Sequence, residues 1–204
     1  MLNRFARAIF TRIFTPVARG LVRAGVSPDV VTIIGTLGVV AGALVFYPKG
    51  EFFLGTVVIT AFVFSDLIDG TMARMSEHPS SWGAFLDSTL DRLGDAAVFG
   101  GLVLWFAGRG DDLVLAGVSL YNLAAGAAVS YAKARAEGLG MTADVGIAER
   151  ADRLVAILVA TGLSGLGVPY LQEATLWLLA VASTITLAQR IIVVRRQALS
   201  GQHR

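Results

Sequence analysis

Four aspartates are spaced so that their carboxylates can act together. Asp66 and Asp69 lie three residues apart, Asp87 and Asp91 lie four residues apart, and the surrounding residues are largely apolar. Side chains three or four positions apart share one face of a helix, so each pair would project in one direction. Carboxylates near lipid are costly unless cations or protons neutralise them. Carboxylate oxygens are also the ligands that Mg²⁺ prefers, which makes a divalent-metal site the leading hypothesis.

The alternative for these aspartates is a set of salt bridges inside a helical bundle. Asp95 adds a fifth carboxylate, whereas the nearby basic residues are Arg74 and Arg92. Five acids against two bases leave three carboxylates without a basic neighbour in the sequence. This excess favours metal binding over ion pairing alone.

The composition indicates an all-α membrane protein. Of the 204 residues, 55% are hydrophobic and only 16% are charged, below the roughly 25% of soluble domains. Six apolar segments are each near the roughly 20 residues that cross a bilayer as a helix. They are 30–47, 52–75, 84–107, 113–135, 152–170 and 174–194. With no cysteine, the chain has neither disulfides nor a thiolate metal site.

The distribution of basic residues predicts the orientation in the membrane. Six crossings place both termini on one side, and 15 of the 17 Lys and Arg residues fall there; only Lys49 and Arg109 fall on the other. Basic residues concentrate on the cytoplasmic side, so the termini and the aspartates are expected to face the cytoplasm at the cell's inner (plasma) membrane.

Residues 1–25 are too basic to span. Apolar residues recur there at helical spacing from Leu2 to Leu21, with arginines mostly on the other side. This pattern predicts an amphipathic interfacial helix on anionic lipid, followed by a six-helix membrane domain over 26–204. An organellar transit peptide is the alternative for an Arg-rich amphipathic start.

The aspartates belong to a longer pattern. It reads Asp66-x2-Asp69-Gly70-x2-Ala73-Arg74-x8-Gly83-x3-Asp87-x3-Asp91. This resembles the signature of the CDP-alcohol phosphotransferase family, with all eight fixed positions present. Six helices, an amphipathic start and a cytoplasmic site extend the resemblance over the whole chain.

The resemblance implies an enzyme at the membrane surface whose partners include CDP-diacylglycerol and membrane lipids. An alcohol attacks the β-phosphorus of the CDP-linked lipid, and CMP leaves. By the same resemblance Asp66, Asp69 and Asp87 hold two Mg²⁺ or Mn²⁺ ions, with Asp91 near the second. Asp91 also corresponds to the general base that takes the proton of the acceptor hydroxyl.

Further residues match positions that line the CDP pocket of the family. Within the signature these are Gly70, Ala73, Arg74 and Gly83. The alternatives are that the small residues only pack helices and that Arg74 only neutralises the aspartates.

Upstream of the signature, Pro28, Asp29 and Thr32 resemble the family's entry to its first crossing, where they would touch the nucleotide. The alternative there is an ordinary helix start, with Ser27 as N-cap and Pro28 at the first position.

A second group of residues concerns the acceptor. The surroundings of Lys133, Arg153 and Arg190 resemble the actinobacterial members that use inositol phosphate, in which these positions form a basic pocket for the acceptor's phosphate. Ala151 departs from that pattern, which often has proline. Members that use glycerol 3-phosphate usually carry proline where Ser88 stands. The predicted acceptor is therefore inositol 1-phosphate. The alternative is a phosphatidylglycerophosphate synthase or another family member with a different acceptor. Basic residues at span ends also serve as orientation signals and lipid contacts.

Three other expectations complete the prediction. A divalent-cation transporter is the non-enzyme alternative, although it would need carboxylates deep in the span and a pathway to both sides. Homodimerisation is expected from the family, and Gly100, Gly101, Gly117 and Gly126 would permit close helix contact. No nucleic acid is expected as a partner.

Overall fold

The computed structural model describes residues 15–65, 68, 70–72 and 81–201, and within them it is all-helical with no β-strand. The principal helices are α1 (Pro28–Phe46), α2 (Phe52–Val63), α3 (Ser81–Ala107), α4 (Leu113–Glu137), α5 (Arg150–Gly165) and α6 (Leu171–Gly201), and a 3₁₀ turn, Tyr47–Lys49, follows α1. Residues 15–23 are also helical, as are the described residues of 65–72. The all-α prediction is confirmed.

Local signals explain where these helices begin. Ser27 caps α1 by accepting the Val30 N–H at 3.4 Å, and Pro28 occupies the first turn. Asp112 caps α4 through the Leu115 N–H at 2.9 Å. At the start of α5 the Asp152 carboxylate accepts the Glu149 N–H at 3.2 Å. The predicted helix start at Ser27 and Pro28 is therefore confirmed.

Two predicted ends were wrong, and one predicted segment contains a break. The second segment, 52–75, is interrupted at Phe64, where the Ser65 hydroxyl donates to the Phe62 carbonyl at 2.6 Å and competes for the helix's own acceptor. The described residues after this break are helical, and the predicted end at 75 lies outside the described residues. The fifth segment, predicted to reach 170, ends as a helix at Gly165, before a turn through Gly167 with φ of +94°. The sixth segment, predicted to end at 194, continues as a helix to Gly201. The end of an apolar run marks the end of lipid contact, and a helix can extend beyond it.

The six helices pack in a ring. Each principal helix packs most extensively against two others, in the cyclic order α1, α2, α5, α6, α4, α3. The centre holds large apolar side chains that are fully buried, among them Tyr47, Ile59, Leu102, Ile157 and Leu176. Many equally large apolar side chains lie on the outside of the ring, as expected for a protein whose solvent is lipid.

Three described helical stretches are long and apolar enough to cross a bilayer, namely Pro28–Lys49, Leu113–Glu137 and Leu171–Ser200. The chain is accordingly a membrane protein. Helix α2 is apolar but short, and α3 and α5 carry charged residues, so the count of six crossings stays a prediction.

The interfacial role of the N-terminal segment also stays a prediction. The described part, 15–23, is helical and ends before Gly25, whose φ of +76° forms a turn. Ala18 is buried there, while Val17 and Val22 are exposed. Residues 1–14 lie outside the described part of the chain.

Candidate functional site

The predicted metal ligands fall on two segments, only one of which is described. Asp87 is exposed on α3, and Asp91 lies one turn later and is half-buried. Asp66, Asp69, Ala73 and Arg74 lie outside the described residues. Among the side chains that the structure does describe, no three metal-binding groups come together, so the four-aspartate ligand set stays a prediction.

Asp91 forms an ion pair with Arg150, which is distant in the sequence and was not among the basic neighbours of the aspartates. Arg150, at the start of α5, places Nη1 2.8 Å from Asp91 Oδ1 and Nε 3.1 Å from Asp95 Oδ1. Arg150 Nη2 also donates to the Asp91 backbone carbonyl at 3.4 Å. Arg92 lies 3.6 Å from Asp91 Oδ2 and 3.9 Å from Asp95 Oδ2. Two guanidinium groups therefore neutralise these two carboxylates, and the acidic excess is smaller than the sequence suggested.

A cavity of about 590 Å³ opens beside this pair and is lined from α3, α4, α5 and α6. Its lining contains all three residues predicted to bind the acceptor's phosphate, Lys133, Arg153 and Arg190. Arg92 and Arg150 line it too, so the residues that touch Asp91 also face the cavity. The structure thus brings the predicted basic residues together and adds two that were not predicted.

Arg153 and Arg190 are not surface charges. Their exposed fractions are 2% and 4%. Arg153 donates from Nη1 to the Ala148 carbonyl at 3.0 Å and from Nη2 to the Gly126 carbonyl at 3.4 Å. A methyl group at Gly126 would lie 3.3 Å from Arg153 Nη2, so this glycine makes room for the guanidinium.

Arg190 is held in the same way, by carbonyls from two different segments. It donates from Nε to Val145 at 3.0 Å and from Nη1 to Val129 at 2.6 Å. A guanidinium has five N–H donors, so two bonds to neutral carbonyls leave donors and the full positive charge for an anion. Within the described residues, no carboxylate lies within 4.0 Å of either guanidinium.

Lys133 is paired with acidic side chains. Its ammonium contacts the Asp144 carboxylate and lies 4.0 Å from Glu137 Oε1. Asp144 is exposed in the loop between α4 and α5, and the hydrogen bond from Lys133 lowers the pKa of its carboxyl group. An incoming phosphate would therefore compete with Asp144 for this ammonium.

Ser130 is a further polar group in the cavity that the sequence reasoning did not assign to the site. Its hydroxyl accepts a hydrogen bond from Arg92 Nη1 and donates to the Gly126 carbonyl at 3.1 Å. Ser130 stands three residues before Lys133, and this spacing, which puts both side chains on one face of a helix, is the sequence signal that could have found it.

The predicted nucleotide-binding residues are partly described. Thr32 is buried, and its hydroxyl donates to the Pro28 carbonyl at 3.1 Å; Asp29 is half-buried in the same turn. Gly70 and Gly83 are described as helical residues of intermediate burial. Contact of any of these with a nucleotide stays a prediction.

The chain is similar to known proteins over nearly its whole length. Residues 25–186 match the family model described as CDP-alcohol phosphatidyltransferase. A phosphatidylinositol phosphate synthase of Streptomyces avermitilis is 59% identical over 205 residues, covering 97% of this chain and 84% of the relative. That of Cutibacterium acnes is 47% identical over 204 residues, covering 96% and 98%.

Solved structures of the Mycobacterium tuberculosis phosphatidylinositol phosphate synthase are similar over most of the chain. The crystal structure with CDP-DAG bound has a TM-score of 0.87 and 46% identity, covering 90% of this chain and 94% of that one. The complex with manganese and citrate has a TM-score of 0.86 and 45% identity, covering 89% and 88%.

Proposed function

Because the chain belongs to the CDP-alcohol phosphatidyltransferase family, we propose that it transfers the phosphatidyl group of CDP-diacylglycerol to inositol 1-phosphate, giving phosphatidylinositol phosphate and CMP. The two relatives above are phosphatidylinositol phosphate synthases, and one solved relative binds CDP-DAG. Sequence identity of 45–59% over nearly the whole chain supports the same reaction here.

The observation that carries the proposal is the position of the basic cavity. Lys133, Arg153 and Arg190 line it, and Arg150 joins its wall to Asp91. A phosphorylated alcohol carries about two negative charges at neutral pH, so buried guanidinium groups are suitable partners for it. Its free hydroxyl can then be oriented towards the CDP-linked lipid on the Asp91 side of the cavity.

The chemistry needs one proton transfer. The acceptor oxygen forms a bond to the β-phosphorus, the bond from that phosphorus to the oxygen of CMP breaks, and Asp91 takes the hydroxyl proton. A carboxylate has about four acceptor positions, so the contact to Arg150 leaves room for the acceptor hydroxyl. Arg150 and Arg92 would also hold the Asp91 side chain in one orientation.

The donor set fits a hard divalent cation. Asp87 and Asp91 are one turn apart on α3, and Asp87 is exposed. With Asp66 and Asp69 they would supply carboxylate oxygens for Mg²⁺ or Mn²⁺, which would stabilise the charge that develops on the diphosphate. The manganese in one solved relative supports the use of a divalent cation.

The remaining proposals concern the protein's surroundings. We propose an inner-membrane location with the active site and both termini cytoplasmic, supported by the distribution of basic residues. We also propose a homodimer. A methyl group at Gly100 or Gly117 would meet no neighbouring helix of the described chain within 4 Å, which would permit close approach of a second copy, whereas Gly101 and Gly126 are used inside the subunit.

An acceptor panel tests the proposed function. Purified protein receives CDP-diacylglycerol with inositol 1-phosphate, glycerol 3-phosphate or free inositol, and CMP release is measured. We expect the highest kcat/KM with inositol 1-phosphate. A higher value with glycerol 3-phosphate would make the protein a phosphatidylglycerophosphate synthase, and equal rates with free inositol would contradict a phosphate-binding role for the cavity.

A further inference from the structure

The loop 138–149, which joins α4 to α5, is fixed along one side of α6. From this arrangement we infer that Thr186 is a positioning residue for acceptor binding, because it holds the loop segment that orients Arg153 and Arg190 in the basic cavity. The inference rests on the proposed function, since it takes that cavity as the site of the phosphorylated acceptor.

Three side chains of α6 hold the loop at successive points. Thr186 Oγ1 accepts the N–H groups of Ile147 at 3.2 Å and Ala148 at 3.1 Å. Four residues on, Arg190 donates to the Val145 carbonyl at 3.0 Å. Residues four apart share a helix face, so the loop follows one face of α6.

The third point lies at the far end of α6. The Gln197 side chain accepts the Thr142 N–H at 3.0 Å and donates to the Thr142 carbonyl at 2.6 Å. Because loop numbers fall as α6 numbers rise, the two segments run antiparallel. Hydrogen bonds therefore hold the loop against α6 at both ends, and its last residue, Glu149, lines the cavity.

Thr186 is the most deeply buried of these three side chains. It is fully buried, and its loop partner Ala148 is buried as well. Gly146 has a φ of +145°, and a methyl group there would overlap with Thr186 Cγ2. Only glycine fits this close approach without displacement of the loop.

Loop residues connect Thr186 to the two arginines. Ala148 gives its N–H to Thr186 and its carbonyl to Arg153, so one residue joins the two side chains. Val145, on the other side of Gly146, gives its carbonyl to Arg190. Thr186 itself is not among the described residues that line the cavity. Its effect on an acceptor must therefore pass through the arginines.

The test separates acceptor binding from turnover. Thr186→Val keeps the shape of the side chain but removes the hydroxyl acceptor, and Thr186→Ser keeps the hydroxyl as the matched control. CMP release is measured while inositol 1-phosphate is varied at saturating CDP-diacylglycerol, and then in the reverse arrangement. We expect Thr186→Val to raise KM for inositol 1-phosphate roughly tenfold, the effect of losing one to two hydrogen bonds. KM for CDP-diacylglycerol should not change, and Thr186→Ser should resemble wild type.

Two outcomes would overturn the inference. One is an unchanged KM for inositol 1-phosphate in Thr186→Val; the other is an equal rise in both KM values, which would indicate general damage. Should Thr186→Val fail to fold, Gly146→Ala perturbs the same contact from the loop side and must show the same selective rise in KM.

A second readout does not depend on the reaction. Amide hydrogen exchange in detergent should be faster at Ile147 and Ala148 in Thr186→Val and unchanged in the centres of α4 and α6. If wild type releases no CMP with inositol 1-phosphate, the proposed function fails while this readout still tests the contact. Unchanged exchange at both amides would show that Thr186 does not hold the loop.

Discussion

Substitution of Arg153 distinguishes most clearly between a structural role and a ligand-binding role for a residue of the basic cavity. Its guanidinium is 2% exposed and donates to two carbonyls, and no described carboxylate pairs with it. The Gly126 carbonyl keeps a second partner in the Ser130 hydroxyl when Arg153 is removed. The main loss to folding in Arg153→Met is therefore the 3.0 Å bond to Ala148.

The magnitudes favour a ligand-binding role. A hydrogen bond from a charged donor contributes about 1.5–3 kcal/mol, and removal of an unpaired buried charge recovers part of this through relief of desolvation. We therefore expect the free energy of unfolding of Arg153→Met to change by no more than about 1 kcal/mol. Loss of a charge-assisted contact to the acceptor's phosphate should cost at least about 2 kcal/mol, or roughly 30-fold in KM.

The assay compares three proteins. Wild type, Arg153→Met and Arg153→Lys are measured for KM of inositol 1-phosphate and for thermal unfolding in the same detergent. Arg153→Lys keeps the charge but loses the forked donors, so its KM should lie between the other two. A strongly lowered Tm with an unchanged KM in Arg153→Met would show that Arg153 only clamps the loop, and the reasoning would be refuted.

Three other outcomes follow from the site. CMP release should stop in excess EDTA and return with added Mg²⁺ or Mn²⁺; activity that persists in EDTA would exclude the metal mechanism. Asp91→Asn should retain affinity for CDP-diacylglycerol but turn over at least roughly 10²-fold more slowly, and a matching loss of lipid affinity would make Asp91 chiefly a metal ligand. Asp144→Asn should lower KM for inositol 1-phosphate a few-fold by freeing Lys133. Because the pKa of the Asp144 carboxyl group is lowered, its ion pair with Lys133 persists at neutral pH and is lost only as the pH falls through that lowered pKa. The difference in KM between Asp144→Asn and wild type should therefore disappear in acid.

The sequence predicted the features that depend on local pattern. Apolar runs located the helices, Ser27 and Pro28 located the start of α1, and charged residues at span ends indicated that Arg153 and Arg190 would meet. Each of these depends on residues close in the chain or on resemblance to a family pattern.

The contacts between distant residues were not predictable. Arg150 pairs with Asp91 across 59 positions, and Arg190 reaches Val145 across 45, so no local spacing encodes either contact. The resemblance assigned Arg153 and Arg190 to the acceptor's phosphate, but it did not show that backbone carbonyls hold both guanidinium groups. The end of α5 was misplaced because residues 166–170 continue the apolar run after the helix has ended.

The identity of the lipid product tests the central claim most directly. Wild-type protein is incubated with CDP-diacylglycerol and inositol 1-phosphate, and the lipid extract is analysed by mass spectrometry while CMP is quantified. We predict phosphatidylinositol phosphate that retains the acceptor's phosphate monoester, in a one-to-one ratio with CMP. Phosphatidic acid with CMP, or phosphatidylinositol without the monoester, would contradict transfer to a hydroxyl of an acceptor bound through its phosphate.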